Sequence, residues 1–257
     1  MTAATAPVAD VWTMSRRQLR RIRRYPSLTV MLVGLPVVFL LLFVFVLGGT
    51  LSGGLGGSSY VDYVVPGVLA MTVASVVQGP IISVAQDMSE GIIARFRTMA
   101  IFRPSVLAGH VLGGLLQAVL GVVVVLGVSV AIGFRPDAGL AGWAGVLGLV
   151  VAFGAVLTWL AVAMGLAADS VETASNVGLP LTLLPFLGSG FVPTDSMPGP
   201  LRVFAEYQPF TPVTETLRGF LLAAPVPPST WLLALGWCAL IGVGGYLWAR
   251  RGYERRS

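Results

Sequence analysis

Asp87-Met88-Ser89-Glu90-Gly91-Ile92-Ile93-Ala94-Arg95-Phe96-Arg97-Thr98-Met99-Ala100-Ile101-Phe102-Arg103-Pro104 separates two long apolar segments and carries one of the few clusters of charge in the middle of the chain. Read as a helix, Met88, Ile92, Phe96 and Met99 follow at spacings of four, four and three residues and line one side, while Asp87, Glu90 and Arg97 lie away from that stripe. Such a helix rests on a surface: its apolar side meets a headgroup boundary, its charged side meets water or another protein, and Pro104 stops it before the next apolar run. The competing reading of the same pattern is a solvated loop with a short amphipathic turn.

Composition decides the class around this stretch. Of the 257 residues, 56% are hydrophobic and 11% charged, whereas a soluble domain carries roughly 25% charged residues. The chain is therefore expected to be an all-α membrane protein. Its net charge of +5 comes from arginine alone, since there is no lysine, and 10 of the 16 arginines lie in two end segments, 16–24 and 250–256. Both segments flank apolar runs, so the expected partner is the lipid bilayer with its anionic inner leaflet, and no nucleic acid. Cys238 stands alone inside an apolar segment, which excludes a disulfide framework, and the single histidine, His110, excludes a zinc site of several histidines. No metal site is expected.

Outward from the charged stretch, the apolar runs read as spans. Residues 28–47 contain no charge and reach about 30 Å as a helix, with Pro36 inside. Before them, residues 10–24 form an interfacial helix with Trp12, Leu19 and Ile22 on one side and arginines around the rest. Residues 48–59 read as a Gly- and Ser-rich external loop, 63–85 as a second span containing Gln78, and 106–134 and 140–168 as containing a third and a fourth. A fifth span, 174–191, is interrupted by Pro180, Pro185 and three glycines. Residues 195–222 read as two short external helices, with Thr211-Pro212 as N-cap and N1 and with Glu206, Glu215 and Arg218 as pairing candidates; residues 231–248 form the last span. Six spans with both termini inside place 13 arginines on the cytoplasmic side and three outside, an asymmetry that a lost span would destroy.

The same residues exclude several chemistries. A P-loop needs a lysine, and none exists. No serine stands in a nucleophile motif. Proton- or sodium-driven carriers place carboxylates inside their spans, whereas the acidic residues here fall at ends and in loops, which counts against a secondary carrier but leaves it as an alternative. No catalytic residue is expected.

Three stretches then carry a resemblance: Arg24-Tyr25-Pro26; Glu90 to Arg97 with Arg103-Pro104 and Val106-Leu107; and Phe191-Val192-Pro193 with Met197-Pro198 and Tyr207-Gln208-Pro209. Together they resemble the permease subunit of ABC-2-type exporters, in particular the daunorubicin-resistance branch. The resemblance covers nearly the whole chain and implies one transmembrane domain, 1–257, with six spans, the interfacial helix 10–24, a cytoplasmic coupling helix 87–103 between spans two and three, and external re-entrant helices at 195–222 between spans five and six. It further implies two copies of a separate ATP-binding cassette subunit, which would bind ATP and Mg, and a second permease copy, identical or a close paralogue. No cofactor is expected in this chain. Carried over by position, the residues that contact the ATPase subunit are Arg16, Arg20, Arg24, Asp87, Glu90, Gly91, Arg95, Phe96 and Arg97. His110 departs from the arginine or lysine that the family implies at its position. The expected function is export of a hydrophobic or amphipathic compound, such as a drug, antibiotic, lipid or glycolipid, across a bacterial plasma membrane. A secondary carrier and a non-transporting scaffold or immunity protein are the alternatives. Substrate-binding residues have no sequence signal.

Overall fold

Backbone amides at membrane depth have no water to bond, so an apolar run folds into a helix that satisfies them internally. The computed structural model describes residues 26–51, 59–91 and 104–255, and among these it contains helices and no strand. The expected interfacial helix 10–24 and residues 92–103 of the expected coupling helix lie outside the described residues.

Helix α1 (Pro26–Leu41) passes through Pro36 without ending and runs on as a π-helical stretch, Leu42–Leu47, and then α2, Gly48–Leu51. The first helical rod therefore continues into what the glycines suggested was loop. Helices α3 (Tyr60–Val76) and α4 (Gln78–Ser89) form a single rod with a break at Val77. Pro80 has no N–H to offer the Val76 carbonyl; Val77 instead donates to Ala74 O (3.2 Å), and the ladder resumes with Ile81 N to Val77 O (3.3 Å). Helices α5 (Pro104–Ala131) and α6 (Leu140–Ala167) follow. Arg135 closes α5 by donating Nη1 to the Val130 and Phe134 carbonyls, at 3.1 and 3.2 Å.

The expected interrupted span appears as three short pieces: α7 (Val171–Val177), α8 (Leu179–Leu183) and a 3-10 turn, Leu184–Leu187. After a 3-10 turn at Thr194–Ser196 come α9 (Gly199–Tyr207), α10 (Phe210–Leu221) and α11 (Pro228–Arg255). Among the described residues five stretches are long and apolar enough to cross a bilayer: Val33–Thr50, Tyr60–Ser89, Leu107–Ala131, Leu140–Ala167 and Pro228–Gly252. Each overlaps an expected span. The chain is a multi-pass, all-helical membrane protein.

The α3–α4 rod is the centre of the bundle. In its most apolar window 78% of residues are buried, against 22% for the first and last spans, so α1 and α11 lie at the periphery. α1 packs on α3 and α5, α6 packs on α4, α5 and α11, and α10 wedges among α3, α6 and α11. The broken segment runs beside the central rod: Ser170 lines a cavity with Ser89, Gln78 Nε2 donates to Ser175 O (3.1 Å), and Ser189 O accepts from Tyr63 Oη (2.8 Å). It thus travels from the end of α4 to the beginning of α3. At its far end the backbones of Gly67 and Gly190 touch, and no side chain fits at Gly67.

Candidate functional site

Two polar clusters mark opposite ends of this bundle. At the first, α4 ends through Gly91, whose φ of +67° is the left-handed conformation that glycine adopts without a Cβ penalty. Glu90 N donates to Gln86 O (2.9 Å) and Gly91 N to Met88 O (3.1 Å), closing the last turn. Met88 packs beside the cluster of Val84, Leu107, Val111, Val162, Ala163, Leu166 and Ala249, so the ends of α4, α6 and α11 meet the start of α5. A cavity of about 200 Å³ opens beside them, lined by Ala85, Met88, Ser89, Ala168, Asp169 and Ser170.

Asp87 and His110 are buried here, at 3% and 2% exposure. His110 Nε2 lies 3.2 Å from Asp87 Oδ2, and His110 Nδ1 lies 2.9 Å from Ser83 Oγ. Serine, histidine and aspartate in this order invite comparison with an acyl-transfer triad. Ser83, however, sits inside α4, where amide N–H groups belong to the helix ladder and none converges on a tetrahedral oxyanion. The trio instead ties two helices together.

The structure therefore moves Asp87 from the open face of a surface helix to the interior of the last turns of the second rod. Glu90 is exposed at the turn and Gly91 is the residue that permits it. Arg16, Arg20, Arg24, Arg95, Phe96 and Arg97 lie outside the described residues. Gln78 behaves as an ordinary helix-packing amide against the broken segment. Among the described residues no group of three His, Cys, Asp or Glu side chains is arranged to hold a metal ion.

The second cluster gathers around Ser189, which is 5% exposed. Its carbonyl accepts from Tyr63 Oη (2.8 Å) and Arg218 Nη2 (3.1 Å), its N–H donates to Thr211 Oγ1 (3.2 Å), and its hydroxyl donates to Glu215 Oε1 (2.5 Å). Arg218 Nη1 also donates to Glu215 Oε1 (2.5 Å), Nη2 donates to Tyr63 O (3.1 Å), and the guanidinium lies 4.1 Å from the Tyr63 ring centroid. Alongside, Tyr60 Oη donates to Phe191 O (3.2 Å), and Phe191 stacks between Phe43 and Phe186.

The short helices themselves differ in detail from expectation. α10 begins at Phe210, whose N–H donates to Gln208 Oε1 (3.0 Å); Thr211 is not its cap and donates to Ala205 O (2.5 Å). Glu215 and Arg218 do pair, but Glu206 pairs with Arg202, which also meets Asp195 at 2.6 Å. That exposed trio is screened by water and mainly orders the start of α9.

A comparison with known families matches residues 9–222 to the family described as ABC-2 type transporter. The chain belongs to that family. A curated relative of this ABC-2 permease, a daunorubicin resistance ABC transporter permease protein from Streptomyces coeruleorubidus, is 27% identical over 212 residues, covering 82% of this chain and 72% of that protein. An ABC permease works with an ATP-binding subunit, so the matched region, which contains the 87–103 stretch, places the permease as the membrane part of such a transporter. Of its two clusters, sequence reasoning named Asp87, Glu215 and Arg218 but missed Ser83, Tyr63 and Ser189. Ser189 stands between Gly188 and Gly190 next to the prolines of a broken span, and that flanking is the signal by which an unwound, side-chain-held backbone could have been found.

Proposed function

We propose that this permease exports a hydrophobic or amphipathic compound, such as a drug, antibiotic, lipid or glycolipid, out of a bacterial cell using ATP hydrolysed by two copies of a separate subunit. One observation carries the reading: the family match over residues 9–222, reinforced by a relative whose own name is that of a drug-resistance permease. Two permease copies form the path, each crossing the membrane six times, with residues 174–191 of the broken segment as the fifth crossing and Glu172 just before it.

The arginine distribution orients the chain. Arg250 and Arg251 follow Ala249, which packs with Val84 and Leu107 at the end of the bundle where Asp87 and His110 lie, and the arginines at 16–24 precede α1 in sequence; we take this end as cytoplasmic and the Arg218 end as external. ATP and Mg bind to the partner subunit, which docks on the interfacial helix through Arg16, Arg20 and Arg24 and on the 87–103 stretch through Glu90, Arg95 and Arg97, with Phe96 on the packing side. Gly91 sets the angle at which that stretch leaves α4. Asp87 serves the contact from within, by holding the turn to α5 through His110. ATP-driven closure of the partner then pushes on a stretch fastened to two spans at once.

The experiment is reconstitution of the purified permease with its ATPase subunit in lipid vesicles, with amphipathic compounds tested for stimulated ATP hydrolysis and transport. Replacing Arg95 and Arg97 together by alanine should abolish export while membrane insertion persists. Full export by that double variant refutes the docking role, and a chain that recruits no ATPase refutes the exporter reading.

A further inference from the structure

We infer that Arg218 is a positioning residue for export: with Glu215 it seals the unwound segment 188–190 against the start of α3, and breaking this seal opens the end of the bundle opposite Asp87. The inference rests on the exporter reading and adds to it the place where the path is closed.

The seam has two layers of different character. Below, Gly67 and Gly190 bring α3 and the segment into backbone contact, with a Cβ on Gly190 meeting Gly67 Cα at 3.0 Å. Above, the segment's polar backbone is satisfied by side chains instead of a helix ladder: Tyr63 and Arg218 on the Ser189 carbonyl, Thr211 on its N–H. One guanidinium touches every part of this layer. It donates to Tyr63 O on α3, to Ser189 O on the segment and to Glu215 on its own helix, while its Nε is buried without a hydrogen-bond partner.

Polar bonds suit a closure that must open. A hydrogen bond exchanged for one to water changes the free energy little, whereas pulling packed apolar surfaces apart exposes them at full cost. The Glu215 side chain is 36% exposed and that of Arg218 14%, so this rim is accessible to water that can replace the bonds as they break. The freed backbone is flanked by Gly188 and Gly190, which permit other conformations. Loss of Arg218 removes the donor common to all three parts of the layer and shifts the seam toward its open form.

The test uses the full chain in lipid nanodiscs, with and without its ATPase subunit, comparing Arg218→Gln and Arg218→Lys with the native residue. Deuterium exchange of amides in residues 186–192 should accelerate about tenfold or more in Arg218→Gln and less in Arg218→Lys, while the buried part of α6 around Phe153 and Leu157 keeps its native protection. In the complex, Arg218→Gln should raise the basal kcat for ATP hydrolysis severalfold and leave the KM for ATP unchanged, because the nucleotide site lies on another subunit. Unchanged exchange at 186–192 overturns the inference, as does acceleration that extends through α6, which marks Arg218 as a general stabiliser. Faster exchange with an unchanged or lowered kcat also overturns it, since the seam then opens without bearing on turnover. Failure of the exporter reading is seen separately, as a native chain that recruits no ATPase activity before any variant is made.

Discussion

Gly67→Ala is the substitution whose cost can be worked most directly from the fold. The added methyl would stand 2.6 Å from Gly190 Cα and from the Gly190 carbonyl carbon, against a comfortable carbon–carbon separation of about 3.5–4.0 Å. Its neighbour is backbone and cannot rotate away, so α3 and the segment must part by about 1 Å. The overpacking costs on the order of 1–3 kcal/mol. The same movement carries Tyr63 Oη–Ser189 O (2.8 Å), Arg218 Nη2–Ser189 O (3.1 Å) and Tyr60 Oη–Phe191 O (3.2 Å) toward or beyond hydrogen-bonding range, at about 1 kcal/mol for each bond lost. Alanine's better helix propensity returns about 1 kcal/mol, so with all three bonds lost the expected net loss is about 3–5 kcal/mol. Gly148→Ala is the control: the site is exposed on α6 with no heavy atom within 4 Å, and the variant should be neutral or stabilised by about 0.5–1 kcal/mol. Reversible denaturant unfolding in mixed micelles, followed by tryptophan fluorescence, measures both. A Gly67→Ala chain that unfolds within about 0.5 kcal/mol of the native one would refute the argument that backbone contact closes this seam.

Further outcomes follow from the other end of the bundle. Asp87→Ala and His110→Ala should each destabilise the chain by on the order of 1–3 kcal/mol, and the double variant should lose clearly less than the sum, because the two side chains share one interaction; additive losses in the same unfolding assay would show that they do not. Ser170 caps α7 by accepting from Thr173 N (3.1 Å). The Glu172 carboxyl is held below the usual carboxylate range first by its own backbone N–H and next by the Ser170 hydroxyl. A carboxyl lowered on folding supports α7 above its unfolded value, and that support fades as pH falls through the folded value. Ser170→Ala should raise the Glu172 titration in a carboxylate-resolved NMR measurement; an unmoved titration would show that the hydroxyl has no part in it.

Much of this protein was legible along the chain. Span positions follow from the length of charge-free runs, and both the interruption of the fifth segment by Pro180 and Pro185 and the two short helices before α11 follow from local residue types. These are properties of consecutive residues, set by backbone satisfaction in lipid and by what proline and glycine permit. Partnerships across the bundle were another matter. Ser83 meets His110 at a separation of 27 residues and Tyr63 meets Ser189 at 126, and Asp87 turned inward where the helical stripe placed it on an open side. A helix in a bilayer is apolar on the face that meets lipid as well as on the face that meets its neighbours, so its hydrophobic pattern says little about how it is rotated. Rotation and register were decided only when the small residues of one segment closed on those of another, as Gly67 does on Gly190.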